Sequence, residues 1–119
     1  MYDTNNIFAK ILRGEVPCKK VVQGDYFLSF HDINPKTNVH VQVIPTGPYI
    51  NAHDFIQKAS QDEQIGFWQG VNETITALNL KGNGYRLIMN TGTNGRQEVQ
   101  HLHIHILGGN DIGPMVVKK

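Results

Sequence analysis

One stretch constrains this chain more than any other: His101-Leu102-His103-Ile104-His105-Ile106-Leu107. Imidazole and apolar side chains alternate without a break, the period-two signature of a β-strand. Leu102, Ile104 and Ile106 are expected to face a core, packed on a helix. His101, His103 and His105 then project together from the opposite face. At ~3.3 Å per residue, neighbours in this row stand ~6.6 Å apart along the chain.

The other segments supply a sheet around that strand. Val21-Val22, a turn at Gly24 or Asp25, and Tyr26 to Ile33 read as a hairpin, with Tyr26, Leu28, Phe30 and Asp32 on one face. Asn34-Pro35-Lys36-Thr37-Asn38 is a turn by composition, and Val39 to Ile44 a strand with His40, Gln42 and Ile44 on one side. Tyr85 to Thr91 is a fourth strand and His101 to Leu107 the last. A short helix capped by Asn5 or Asn6 runs through Ile7, Phe8, Ile11 and Leu12, and Gly14 ends it. A long helix starts at Ser60, which forms a capping-box pattern with Glu63. Ile65, Trp68, Val71, Ile75 and Leu78 recur on one of its faces, so Trp68 is expected in the core or at a dimer interface. Helices do not separate every pair of strands. The expected fold is therefore α+β, an antiparallel sheet of about five strands with one long and one short helix, formed by residues 1–119 as a single domain.

Charge and cysteine content narrow the function. Eleven basic against ten acidic residues give a net charge of +1, which argues against binding nucleic-acid backbone or anionic lipid. A single cysteine, Cys18, excludes an internal disulfide framework. No apolar run approaches the ~20 residues of a membrane span, and the first residues lack the pattern of a secretory signal. A cytoplasmic protein is expected.

The histidine row admits several chemistries. Three imidazoles can bind zinc, although ligands on a flat strand diverge and His-x-His pairs usually recruit a further ligand from elsewhere. Acyl transfer lacks a glycine-flanked serine elbow, and Cys18 has no motif around it. The third possibility is attack on phosphorus. Neutral imidazole is a competent nucleophile, and flanking imidazoles can set its tautomer and carry a proton to the leaving group. The preceding loop, Asn90-Thr91-Gly92-Thr93-Asn94-Gly95-Arg96-Gln97, is rich in amides and glycines that let backbone N–H groups approach an anion.

The run Asn90-x-Gly92-x-x-Gly95-x-Gln97-x-Val99-x-His101-x-His103-x-His105 resembles the signature of the histidine-triad (HIT) family. Asn6 to Ile11, Phe30 to Pro35 and His40 to Pro45 resemble its opening helix, first long strand and fourth-histidine strand. Nearly the whole chain is covered. The branch it looks like is the Hint-type purine nucleoside phosphoramidases, and Gln97-Glu98-Val99 with Gly108-Gly109-x-x-Ile112-Gly113-Pro114-Met115 looks like the bacterial members.

The resemblance implies hydrolysis of purine nucleoside 5′-monophosphoramidates to a nucleoside monophosphate and an amine. It implies His103 as nucleophile, His105 near the phosphate and leaving group, and His101 and His40 as support and relay. Asn90 and Gln97 correspond to residues contacting the phosphate or leaving group, with Val99 beside them, and Asp32 to a carboxylate that binds ribose hydroxyls. Ile7, Phe8, Ile11, Val16, Phe30 and Ile33 correspond to a purine pocket. A homodimer with a purine nucleotide substrate, no cofactor and no metal is implied. Three departures stand out. Glu98 replaces a serine of the animal proteins and is expected to face away from phosphate or toward the leaving group. Arg96 replaces a glycine. Gln42 replaces an aliphatic residue and is placed to hydrogen-bond a purine edge.

Competing readings remain at this level: a nucleotide-binding regulatory module, a dinucleoside polyphosphate hydrolase, or a zinc protein using His40 and the triad. His31 reads as a partly exposed strand residue and His53 as a loop or helix-cap neighbour. Gly82-Asn83-Gly84 lacks the third glycine of a dinucleotide fingerprint.

Overall fold

The structure, a computed structural model, describes residues 1–118. Five strands form one antiparallel sheet: β1 (Lys20–Gln23), β2 (Phe27–His31), β3 (Val39–Pro45), β4 (Tyr85–Ile88) and β5 (Ile104–Gly108), in the order β1-β2-β3-β5-β4. The central pair matters most for the site. β3 and β5 run side by side from Val39↔Gly108 to Val43↔Ile104, which sets Gln42 opposite His105.

Three helices accompany the sheet, one more than expected: α1 (Ile7–Leu12), α2 (Ala52–Lys58) and α3 (Gln61–Ala77). Asn6 caps α1 by accepting the Ala9 N–H, and Gly14 follows in the left-handed region. The additional helix, α2, is capped by Asn51, whose side chain accepts the Asp54 N–H. His53 is thus the helix-cap neighbour of the two expected alternatives, two residues after Asn51. In α3 both halves of the Ser60–Glu63 capping box are formed.

The side chains of alternate strand residues separate two apolar clusters. On one face Phe27, Val43, Leu102, Ile104 and Ile106 pack with Phe67, Val71 and Ile75 of α3. On the other, Leu28, Phe30 and Ile44 pack with Phe8 of α1. The expected stripe on α3 is corrected here. Ile65 and Trp68 are 56% and 50% exposed, and the buried face is Phe67, Gly70, Val71, Thr74 and Ile75. Gly70 belongs to that face because the ring of Phe27 lies where a Cβ would stand.

The last strand is also shorter than the alternation predicts. Its ladder begins at Ile104, so His101 and His103 precede it. The reason is that β3 ends at Pro45, which has no N–H to extend the pairing. The expected fourth strand, 85–91, stops at Ile88. No described helix is long and apolar enough to cross a membrane.

Candidate active site

His103 and His105 face a cleft whose walls also include Phe8, Asp32, Lys36, His40, Gln42, Asn90, Arg96, Glu98 and Val99. The cleft measures about 280 Å³, close to the lower end of small-ligand sites. Sheet alternation brings these groups together. His40 and Gln42 project from β3, His105 from β5, and Phe8 from the helix that covers this face.

The hydrogen bonds fix the state of each imidazole. The backbone N–H of Lys36 donates to His40 Nδ1 at 3.1 Å, so His40 carries its proton on Nε2. That proton points to His105 Nδ1, 2.9 Å away. His105 therefore accepts at Nδ1 and carries its own proton on Nε2. His103 Nδ1 lies 2.7 Å from the carbonyl of His101 and must donate to it. Its Nε2 has no partner among the described residues and keeps a free lone pair. His101 Nε2 lies 2.9 Å from the Pro45 carbonyl and donates, while Nδ1 faces the Tyr2 hydroxyl at 2.6 Å.

All four rings are shifted toward the neutral form. Burial pushes His101 and His105 down to about 4; the Pro45 carbonyl opposes this at His101, and nearby His103 and His40 reinforce it at His105. Burial also lowers His103, against the pull of the His101 carbonyl, Glu98 and Asp32. Burial lowers His40 too, although Asp32 opposes it.

Asp32 is built as an anion. Burial works to raise its carboxyl, but the Asn34 N–H at 2.7 Å, the Gln42 amide at 2.6 Å and the neighbouring imidazoles hold it below the ordinary value. Its Oδ2 lies 3.5 Å from His40 Nε2. Gln42 thus spends its N–H on Asp32. Its orientation follows from charge, because the reverse amide would set an oxygen against the carboxylate. Gln42 Oε1 is left buried without a partner among the described residues.

Asp32, His40 and His105 offer ligand atoms within 4.8 Å of one another, a nitrogen and oxygen set suited to zinc. The same nitrogens already share a proton, so a metal there would replace the His40–His105 hydrogen bond.

Several expected contacts take other forms. Gln97 is buried outside the cleft, where it braces the loop: its Oε1 accepts from Gly92 N–H, and its Nε2 donates to the carbonyls of Ile50 and Val99. Asn90 lines the cleft while its amide holds the Gly95 carbonyl. The N–H groups of Gly92, Arg96 and Gln97 are used inside the loop, so the expected backbone cradle for an anion is closed at those positions. Of the two orientations expected for Glu98, it takes the one toward the cleft, which it lines as Arg96 does.

Of the six residues expected around a purine, Phe8 alone lines this cleft. Phe30 lies beneath Phe8 at a ring distance of 5.5 Å, and Ile11 packs on the same cluster. Val16 is half-buried, and Ile7 is 43% exposed. Ile33 is 91% exposed and borders a second hollow with Pro17, Cys18, His31, Pro35 and Asn38. Asp32 and His40 line both hollows. Periodicity gave no sign of two contributors, the Tyr2 hydroxyl and the Lys36 N–H. One comes from the N-terminal segment and the other from the backbone of a turn.

A fold and a site of this kind define a class, and comparison identifies it. Residues 13–112 match the HIT domain family, and the chain belongs to that family. A HIT-like protein of Azospirillum brasilense is 46% identical over 117 residues, covering 98% of this chain and 96% of that protein. The purine nucleoside phosphoramidase of Escherichia coli K12 is 39% identical over 114 residues, covering 95% and 94%. A histidine triad protein from Clostridium difficile, solved by crystallography, superimposes with a TM-score of 0.85 at 35% identity, covering 96% and 98%.

Proposed function

We propose that the chain, acting as a single HIT domain, hydrolyses the P–N bond of purine nucleoside 5′-monophosphoramidates through a nucleotidyl-histidine intermediate. The observation that carries this reading is the tautomer of His103. Its Nδ1–H is committed to the His101 carbonyl, which leaves the Nε2 lone pair for a phosphorus atom in the cleft. Similarity to a purine nucleoside phosphoramidase supports the substrate class.

His103 Nε2 attacks the α-phosphorus, a P–N bond to the enzyme forms, and the substrate P–N bond breaks. The leaving nitrogen must take a proton. A phosphoramidate brings negative charge beside His105 and His40 and raises their affinity for protons, so a proton enters the pair as the substrate binds. His105 passes it to the amine from Nε2 and then acts as base for the water that splits the intermediate. Lys36 and Arg96 supply positive charge along the cleft. Asp32 accepts from ribose hydroxyls, and the base lies on the Phe8 side.

The reading extends to a cytoplasmic homodimer. Half-exposed Trp68 and Ile65 on α3, with Tyr85 and Leu87 on the edge strand β4, leave apolar surface that a second copy would cover.

Incubation with adenosine 5′-phosphoramidate tests the activity. Release of AMP that disappears in His103→Ala is expected; no AMP release by the wild-type protein contradicts the proposal.

A further inference from the structure

We propose that Tyr2 is a positioning residue for the His103 nucleophile, acting through His101. The inference rests on the reading of His103 as nucleophile, but the contact that carries it is independent of that reading.

The argument starts from where the nucleophile lies. The β3–β5 ladder ends at Val43↔Ile104, so residues 101–103 are not held by strand pairing. Hydrogen bonds hold them instead. Leu102 N–H donates to the Tyr49 carbonyl at 2.8 Å, His101 Nε2–H to the Pro45 carbonyl, and His103 Nδ1–H to the His101 carbonyl. The third of these places the reactive ring, and it is only as firm as the carbonyl of His101. That carbonyl shares its peptide plane with the Leu102 N–H on Tyr49, and the His101 ring on Pro45 fixes the residue from its other side.

The His101 ring is wholly buried, at 0% exposure. Its Nε2 faces a carbonyl, which accepts only, so Nε2 must carry the proton and Nδ1 must be a bare acceptor. A buried acceptor needs a donor. Tyr2 supplies it at 2.6 Å, with its ring edge-on to the imidazole at 5.6 Å. The segment that carries Tyr2 is itself tied down. Asp3 accepts from Asn5 and Asn6, and Arg13 donates to the Thr4 carbonyl at 2.7 Å. Residues 2–6 thus form a strap from α1 to the back of the histidine row.

Without the hydroxyl, neither tautomer of His101 satisfies every buried group. The Nε2–H form leaves Nδ1 bare, and the Nδ1–H form sets a lone pair against the Pro45 carbonyl. The two forms then compete, and the tether behind His103 loosens while the substrate's own contacts remain.

Tyr2→Phe keeps the ring and removes the donor. We expect kcat on adenosine phosphoramidate to fall about five- to tenfold, the size one neutral hydrogen bond carries into a rate. KM and AMP affinity stay within about twofold, because Tyr2 does not line the cleft. In histidine-labelled protein, ¹⁵N NMR should show His101 as the neutral Nε2–H tautomer in the wild type and a mixture in the variant. Wild-type kcat in folded Tyr2→Phe overturns the proposal, as does a change confined to KM. A wild-type His101 that is protonated on Nδ1 overturns it without any variant. If the wild type releases no AMP, the proposed reaction fails, and the NMR comparison still decides whether Tyr2 sets the His101 tautomer.

Discussion

The two faces of the sheet are made by the same strands and differ in almost every physical respect. On the α3 face, Leu102, Ile104 and Ile106 meet Phe67, Val71 and Ile75, and among the described residues the only buried polar pair is Ser29 with Thr74, joined at 2.9 Å. On the α1 face, His40, Gln42, His101 and His103 are buried among fewer apolar partners. Burial of apolar area stabilises the first face without direction. The second face is held by directed hydrogen bonds, and each one costs stability if its partner is lost. The lesson is a division of labour between residues one position apart. One face sets how firmly the sheet holds, and the other sets where four protons sit.

Two substitutions, one just before β5 and one within it, give the largest contrast. His103→Ala should lower turnover by about a thousandfold or more, as loss of a nucleophile does. Ile106→Ala should leave turnover per folded molecule within a few-fold, yet lower stability by about 2–5 kcal/mol. Parallel denaturant titrations and AMP-release rates check both. Equal effects of the two substitutions on turnover would break the comparison.

Mild acid should act first on the histidine face, because the Glu63 carboxyl, held below its ordinary 4.5 by the Tyr49 hydroxyl on the other face, responds only at lower pH. In the unfolded chain histidine titrates near 6.5, whereas folded His101 and His105 take up a proton only at about 4. Between those values the unfolded chain binds more protons, so stability rises with pH. The contribution is fully present above 6.5 and is lost as pH falls toward 4. About 2–4 kcal/mol is expected for the pair, after discounting His105 for its exposure to the cleft. Melting temperatures from pH 4 to 7 measure it, and replacing His101 and His105 together should flatten the slope.

Two smaller effects sharpen the contrast. Ser60→Ala removes the α3 cap and should cost about 1 kcal/mol with no change in turnover. Arg96 holds a left-handed backbone, φ 59°, in the cleft loop. Arg96→Gly should therefore stabilise by up to about 1 kcal/mol while weakening binding of the anionic substrate. Equilibrium unfolding and AMP titration read the two terms separately.

The sheet was legible because alternation survives in the primary sequence, from Val39 to Ile44 and from Leu102 to Leu107. The limits of that legibility are physical. Alternation cannot reveal that Pro45 ends the ladder and leaves His103 to side-chain tethers. Apolar periodicity misplaces the buried stripe of α3 because Gly70 contributes to the contact with Phe27 by lacking a side chain, which no apolar count detects. Helix α2 was missed because seven residues carry little periodicity, although Asn51 with Asp54 three residues on is a capping signal. At the site, loop composition points the Gly92 N–H at an anion and the family resemblance points Gln97 at the phosphate or leaving group, whereas their polar groups satisfy each other. Contacts such as that of Tyr2 with His101 join residues 99 positions apart and leave no local pattern.

The central claim is that His103 Nε2 forms a bond to phosphorus. Quenching of the protein with alkaline denaturant during turnover of adenosine phosphoramidate, which spares P–N bonds, followed by peptide mass spectrometry without acid, tests it most directly. The account predicts one adenylyl group on the peptide spanning residues 101–105, assigned to His103 by fragmentation and absent from His103→Ala. An adenylyl group on another residue, or steady turnover by His103→Ala, would contradict it.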